Sequence, residues 1–134
     1  MIDGLPEWLR AQLDEDERIV EVALRYVDAD WRRDDEENIA LAPSLTTSGR
    51  QEVPITADRW HRLMIEGPGV VMHVAEHDPA RVLREIDAKR RTLIRCEEAM
   101  LSANPMLVHF AKQTAWEMAQ PYADRPGYRD EWRP

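Results

Sequence analysis

Two residue pairs, Asp78-Pro79 and Asn104-Pro105, mark the places in this chain where helices begin. Asp and Asn are preferred N-cap residues, because their side-chain oxygens accept hydrogen bonds from backbone N–H groups of the first turn. Proline suits the first helical position, where its missing N–H would have no helical partner. We therefore expect a long helix after the first pair and a last helix after the second.

The spacing of apolar residues predicts how far each helix extends and which side it buries. The long helix should reach about residue 101, and its apolar stripe comprises Val82, Ile86, Leu93, Cys96 and Met100, with Leu83 beside it. The last helix should reach about residue 120 and bury Leu107, Phe110, Ala111, Thr114 and Met118. A first helix is expected over residues 5–27, where one broad arc contains Trp8, Leu9, Leu13, Ile19, Val20, Ala23, Leu24 and Val27.

These elements predict a mainly α fold with three principal helices and a short fourth helix over residues 57–65. Residues 38–55 form either a minor β-hairpin, from segments 38–42 and 51–55, or a loop. The length of 134 residues favours a single domain over residues 1–134, with residues 121–134 as an extended C-terminal tail docked on the helices.

The charge and the cysteine content indicate which partners and which cellular compartment are expected. Twenty-six acidic against eighteen basic residues give a net charge of −8, which repels phosphate backbones and disfavours nucleic acid. The single cysteine, Cys96, excludes an internal disulfide and fits a reducing compartment. The N-terminus lacks the pattern of a signal peptide, and no run of 18 apolar residues occurs, so we expect a cytoplasmic protein without a membrane span.

Asp16 projects near the middle of the apolar arc of the first helix. An ionised carboxylate is costly to bury alone, because it loses its hydration. Lys89 lies within the apolar stripe of the long helix and Arg90 lies at its edge. We therefore expect the first and long helices to pack together, with Asp16 as a buried charge paired with one of these two cations.

A possible metal motif occurs at His73-Val-Ala-Glu-His77, which matches the H-x-x-E-H pattern of inverted zinc peptidases. In that reading His73 and His77 are metal ligands and Glu76 is the base of a metal-dependent hydrolase. The Asp78-Pro79 pair restarts the helix immediately, however, and leaves little helix for the motif. A helix end with partly exposed histidines is the favoured reading, and no catalytic residue, metal or cofactor is expected.

Two charged features suggest other interactions. Four arginines of the long helix, Arg81, Arg84, Arg91 and Arg95, share one side opposite the apolar stripe, and they could contact phosphates or an acidic partner. Acidic runs at residues 14–17 and 34–37 could imitate a phosphate backbone. In both cases an ordinary solvated surface is the simpler interpretation, because neighbouring charges pair along a helix.

Trp116 projects from the last helix beside His109 and Lys112, opposite the expected buried side. An exposed indole is an unusually large apolar group unless another segment covers it. The tail supplies three aromatic residues, Tyr122, Tyr128 and Trp132. Either the tail docks on this surface, or the surface is the binding site for a partner.

Three segments together resemble a known family: Trp8 to Glu17, the helix start HDPARVLREIDAKRR at 77–91, and the terminus YADRPGYRDEWRP at 122–134. On these motifs the chain resembles a family of small uncharacterised proteins from actinobacteria and their phages. The resemblance implies no activity and no catalytic residues. The favoured function is therefore a non-enzymatic, regulatory or accessory protein that binds another protein, with a nucleic-acid-associated regulator and a metal-dependent hydrolase as alternatives.

Overall fold

The computed structural model of the chain describes residues 2–25, 32–33, 39–40, 62–63 and 73–133. These residues are mainly helical, as predicted. Three principal helices are present: α1 (Leu5–Ala23), α2 (Pro79–Met100) and α3 (Pro105–Ala119). Residues 73–76 are also helical, and two 3₁₀ turns follow α3 at Gln120–Tyr122 and Asp130–Trp132.

Both predicted caps are confirmed. Asn104 is extended, with φ −86° and ψ 111°, and its side-chain oxygen accepts a hydrogen bond from the backbone N–H of Met106 at 3.0 Å. The Asp78 carboxylate accepts one from the backbone N–H of Arg81 at 2.8 Å. Each bond satisfies a first-turn donor that has no partner within the helix, so the two Pro-initiated helices begin at the expected residues.

Three two-residue strands form an antiparallel sheet in the order β1 (Arg32–Arg33), β2 (Ile39–Ala40) and β3 (Arg62–Leu63). The first segment of the expected hairpin, 38–42, contains β2, while the second segment, 51–55, lies outside the described residues. A short fourth helical segment is present, but it lies at residues 73–76. Within the stretch 57–65, where the short helix was expected, Arg62–Leu63 form β3 instead. Isolated helices of such length are marginal, so strand pairing can replace them.

The chain forms two compact units. The first comprises Met1–Glu17 and Glu85–Pro134, and the second comprises Arg18–Arg84. In the second unit, Val20 is buried but Ile19, which the apolar arc of α1 included, is half exposed. A single domain over residues 1–134 stays a prediction.

The first unit has a core drawn from all three helices and the tail. Its buried apolar residues are Leu5, Leu9, Leu13, Ile86, Leu93, Cys96, Ala111, Ala115, Ala119, Tyr122 and Trp132. The predicted stripe of α2 is confirmed at Ile86, Leu93 and Cys96.

The predicted buried side of α3 is wrong. Leu107 and Phe110 are 46% and 58% exposed, and the buried residues are instead three alanines spaced four residues apart, Ala111, Ala115 and Ala119. Small side chains allow neighbouring backbone to approach closely, so an alanine line can face the interior while larger residues cannot. Of the predicted set, only Ala111 belongs to the buried side.

Candidate functional site

Four aromatic rings of the first unit meet around Trp8 of α1. The ring centroid of Trp8 lies 6.4 Å from Tyr122, 5.7 Å from Tyr128 and 5.2 Å from Trp132. Tyr128 and Trp132 also meet edge to face, with centroids 5.8 Å apart. Such tilted and edge-to-face pairs are favourable beyond the apolar area that they bury. We call these four residues the tail cluster.

Backbone contacts hold the tail cluster in place. The Trp8 indole N–H donates to the carbonyl oxygen of Pro126 at 3.0 Å. The next residue, Gly127, has φ +85°, and a Cβ atom there would lie 2.9 Å from the same indole nitrogen. Only glycine meets both demands, because it accepts positive φ without strain and has no side chain to collide with Trp8.

The predicted docking of the tail beside Trp116 stays a prediction, and the aromatic rings of the tail contact Trp8. Tyr122 and Trp132 are 3% and 1% exposed, whereas Trp116 is half-buried and His109 is exposed. Lys112 is half-buried. Trp116 connects to the tail through Gln120, whose side-chain amide lies within hydrogen-bond distance of the carbonyl oxygens of Trp116 and Trp132.

Asp16 is partly buried, and the prediction that Lys89 or Arg90 supplies its cation is wrong. The cation is Arg125 of the tail, whose guanidinium donates to the Asp16 carboxylate at 2.5 Å. The Tyr122 hydroxyl donates to the other carboxylate oxygen at 2.8 Å, and the Lys89 ammonium donates in turn to that hydroxyl at 3.2 Å. The tail has no helical periodicity, so no pattern could indicate where Arg125 points.

Tyr122 is held in its neutral form. Burial, together with its hydrogen bond to the Asp16 carboxylate, raises the pKa of the phenol well above its usual value. The guanidinium of Arg125 lies over the ring at 4.7 Å from its centroid, a cation–π contact. A neutral phenol donating one hydrogen bond and accepting another is a structural link, and it joins α1, α2 and the tail.

The predicted contact between the first and long helices is confirmed by ion pairs other than the expected one. Arg90 binds the carboxylates of Asp14 and Glu17, each at 2.7 Å, and Arg10 binds Glu97. The hydrogen bond from Arg90 lowers the pKa of Glu17. The same carboxylates raise the already high pKa of Arg90. Part of the acidic run at 14–17 therefore pairs within the first unit, and the run at 34–37 lies outside the described residues.

A second surface of the first unit is apolar and exposed. Leu101 is 89% exposed, Met106 65%, Phe110 58% and Leu107 46%. Leu101 lies in the turn after α2, and the other three occupy the first two turns of α3. We call these four residues the α3 apolar surface. The pattern of large apolar residues predicts the opposite side of α3 as buried. The four-residue spacing of Ala111, Ala115 and Ala119 is the sequence signal that indicates the side that is buried.

The comparison with known families covers nearly the whole chain. A family model matches residues 2–134, and it describes a family of unknown function (DUF6221). The chain belongs to this family. An uncharacterised family is what the sequence motifs had implied. No curated protein and no solved structure matches the chain.

The histidine motif of this DUF6221 protein lies in the second unit. The rings of His73 and His77 are 4.3 Å apart, and Nδ1 of His77 lies 2.7 Å from the backbone carbonyl oxygen of His73. The Glu76 carboxylate lies 3.8 Å from the Arg81 guanidinium. Within the described residues no group of three or more potential ligands surrounds a common point. The hydrolase alternative therefore gains no support from the geometry.

The four arginines of α2 in the DUF6221 protein are divided between the two units. In the second unit, Arg81 contacts Glu76 and Arg84 is exposed. In the first unit, Arg91 pairs with Asp87 at 2.7 Å and Arg95 is exposed. Carboxylates partly neutralise two of the four, so nothing here favours a dedicated phosphate site.

A further feature of the DUF6221 protein bears on its chemistry. Cys96 is a free, buried thiol, and burial raises its pKa, which makes it a poor nucleophile.

Of the helices that the structure describes, none is both long enough and apolar enough to cross a membrane.

Proposed function

We propose that this DUF6221 protein is a non-enzymatic protein-binding protein and that the α3 apolar surface is its binding site. The observation that carries the proposal is the orientation of α3. This helix buries three alanines and exposes Met106, Leu107 and Phe110. Exposed apolar clusters of this kind are typical of surfaces that bind other proteins.

Orienting α3 in this way leaves favourable burial unused. Burying a large apolar side chain contributes about 1.5–3 kcal/mol, and the four side chains of the α3 apolar surface remain between 46% and 89% exposed. A partner that covers them would supply this stabilisation on binding. Aromatic residues and Met are also enriched at the centres of interfaces, and Phe110 and Met106 are among the residues exposed here.

The surface is held on a well-defined element. Met106 and Leu107 lie in the first turn of α3, which the Asn104 cap fixes at 3.0 Å through the N–H of Met106. Preorganised side chains lose less conformational entropy on binding than side chains on a loop. A rigid apolar helix face therefore suits recognition of a folded protein partner.

The regulatory or accessory role, the cytoplasmic location and an origin in actinobacteria or their phages belong to the same proposal. The free, buried thiol of Cys96 supports a reducing compartment. The sequence motifs at 8–17, 77–91 and 122–134 support the origin.

A site-specific photo-crosslink tests the proposal in cells that naturally produce the protein. A photo-reactive phenylalanine analogue replaces Phe110 in one variant and Ile94 in a matched control, because Ile94 is a similarly exposed apolar residue on α2, at 52% against 58%. We expect discrete polypeptide adducts from position 110 and none from position 94. A Met106→Asp substitution added to the position-110 variant should suppress the adducts, because it places a charge in the same surface. No adduct at position 110, or the same adducts at both positions, would refute the proposed site.

A further inference from the structure

The geometry and charge of the α3 apolar surface point to its occupant: we infer that it binds the same surface on a second copy of this chain. The inference rests on the proposed function, and it names the partner. Two observations support it, namely the neutrality of the surface and its area.

The surface is neutral in a strongly charged chain. Charged residues make up 33% of the sequence and the net charge is −8, yet between Leu101 and Phe110 the only ionisable side chain is His109. Two copies of an acidic protein repel one another wherever their charges approach. Ionic screening weakens this repulsion beyond about 8 Å at physiological salt, so a neutral contact surface is the one that two copies can share. A basic partner would instead be expected at an acidic surface.

The exposed area matches what a small dimer needs. A large apolar residue has on the order of 200 Å² of accessible surface, so the exposed fractions of the four residues correspond to about 500 Å² per chain. Two copies in contact would bury at most about 1,000 Å² from these side chains, which is the lower limit for a specific interface. The dimer should accordingly be weak, and it should form in the micromolar range rather than being permanent.

A twofold axis gives each copy the same contacts. In such an arrangement α3 of one chain crosses α3 of the other, and the same apolar side chains of both chains pack against one another. An antiparallel crossing also brings opposite ends of the helix dipoles together, which is favourable. Because the contacts occur twice, one substitution in the sequence removes two contacts in the dimer.

Sedimentation velocity of the purified full-length protein tests the inference. We expect a concentration-dependent shift from monomer to dimer over about 1–500 µM. Phe110→Asp and Met106→Asp, placed in the surface, should each raise the midpoint of this transition about tenfold or more. Ile94→Asp adds the same charge at a comparably exposed apolar position of α2 and should leave the midpoint unchanged. Circular dichroism spectra should be the same for all four proteins, since each change is on an exposed side chain.

Two results would overturn the inference. One is a wild-type protein that stays monomeric throughout this range, and the other is a shift of equal size for Ile94→Asp. The photo-crosslink at position 110 separates this failure from that of the proposed function. Adducts to a different polypeptide, with a monomeric wild type, would refute the second copy and retain the binding site. Absence of both adducts and dimer would refute both.

Discussion

Replacing Trp132 with alanine tests how strongly the last residues stabilise the first unit. The indole is 1% exposed, its centroid lies 5.2 Å from that of Trp8, and the guanidinium of Arg129 lies over it at 5.3 Å. Removing it leaves a cavity beside Trp8 and removes the contacts that fix the second 3₁₀ turn. The tail would then lose its largest buried side chain.

The magnitude follows from two opposing contributions. Truncating a fully buried tryptophan to alanine costs about 3–5 kcal/mol. The indole N–H of Trp132 is buried without a hydrogen-bond partner among the described residues, so its removal also relieves a penalty of about 1–3 kcal/mol. At the midpoints of these ranges the net loss is about 2 kcal/mol, which for a chain of this size lowers the melting temperature by about 8 °C.

Urea unfolding followed by circular dichroism at the helix band measures this loss without relying on tryptophan fluorescence. Arg133→Ala is the matched control, because the Arg133 side chain is 66% exposed and its ion-pair partner among the described residues is the more exposed Asp130. It should change the free energy of unfolding by less than about 0.5 kcal/mol. A loss no larger than that of Arg133→Ala would show that the Trp132 indole does not stabilise the first unit, and the packing described around Trp8 would be wrong.

Three further predictions concern the same unit. Gly127→Ala should lower the free energy of unfolding by about 2–3 kcal/mol in the same urea assay. Gly4→Ala should lower it by only about 1 kcal/mol, because Gly4 has a similar φ but a Cβ atom there would lie 3.7 Å from its nearest neighbour, the Arg129 guanidinium. Equal losses would contradict the clash between residue 127 and the Trp8 indole. A double-mutant cycle of Asp16→Asn and Arg125→Met should give a coupling free energy near 2 kcal/mol, a value between those typical of exposed and of buried ion pairs. A coupling near zero would show that this ion pair does not stabilise the protein. Because folding lowers the pKa of Glu17, its ionised carboxylate stabilises the folded protein at pH values above its ordinary pKa of 4.5. The melting temperature of the wild type should therefore exceed that of Glu17→Gln at pH 7, and the difference should shrink as the pH falls below 4.5. A difference that does not change with pH would contradict the Arg90 contact.

The helix starts could be read from the sequence because their cause is local. Asp78 and Asn104 act through hydrogen bonds to residues two or three positions away, and those bonds are present in the structure. Helix ends were less well defined, since α1 ends at Ala23 rather than at residue 27. Fraying and tertiary contacts set such ends, and neither leaves a clear mark in the sequence.

The orientation of α3 and the partner of Asp16 could not be read because their causes are distant in the chain. A hydrophobic wheel ranks side chains by size, so it assigned Phe110 to the interior although the interior accepts Ala111 and Ala115. Asp16 was correctly singled out as a charge among apolar residues, but Arg125 lies 109 positions away in a segment without periodicity. The predicted docking or binding surface around Trp116 stays a prediction, and the α3 apolar surface includes Leu107 and Phe110, which the wheel assigned to the interior.

The bond between Trp8 and Pro126 joins residues 118 positions apart, and this separation has a consequence for how the protein is made. During synthesis α1 leaves the ribosome early, yet the rings that cover Trp8 are translated more than 110 residues later. Contacts of such long range are slow to form, because a large loop must close before they contribute. Until translation reaches Trp132, the nascent chain has the apolar face of α1 without its cover. A ribosome that stalls between residues 120 and 131 should therefore release a product that chaperones bind and proteases degrade, even though all three principal helices have been translated.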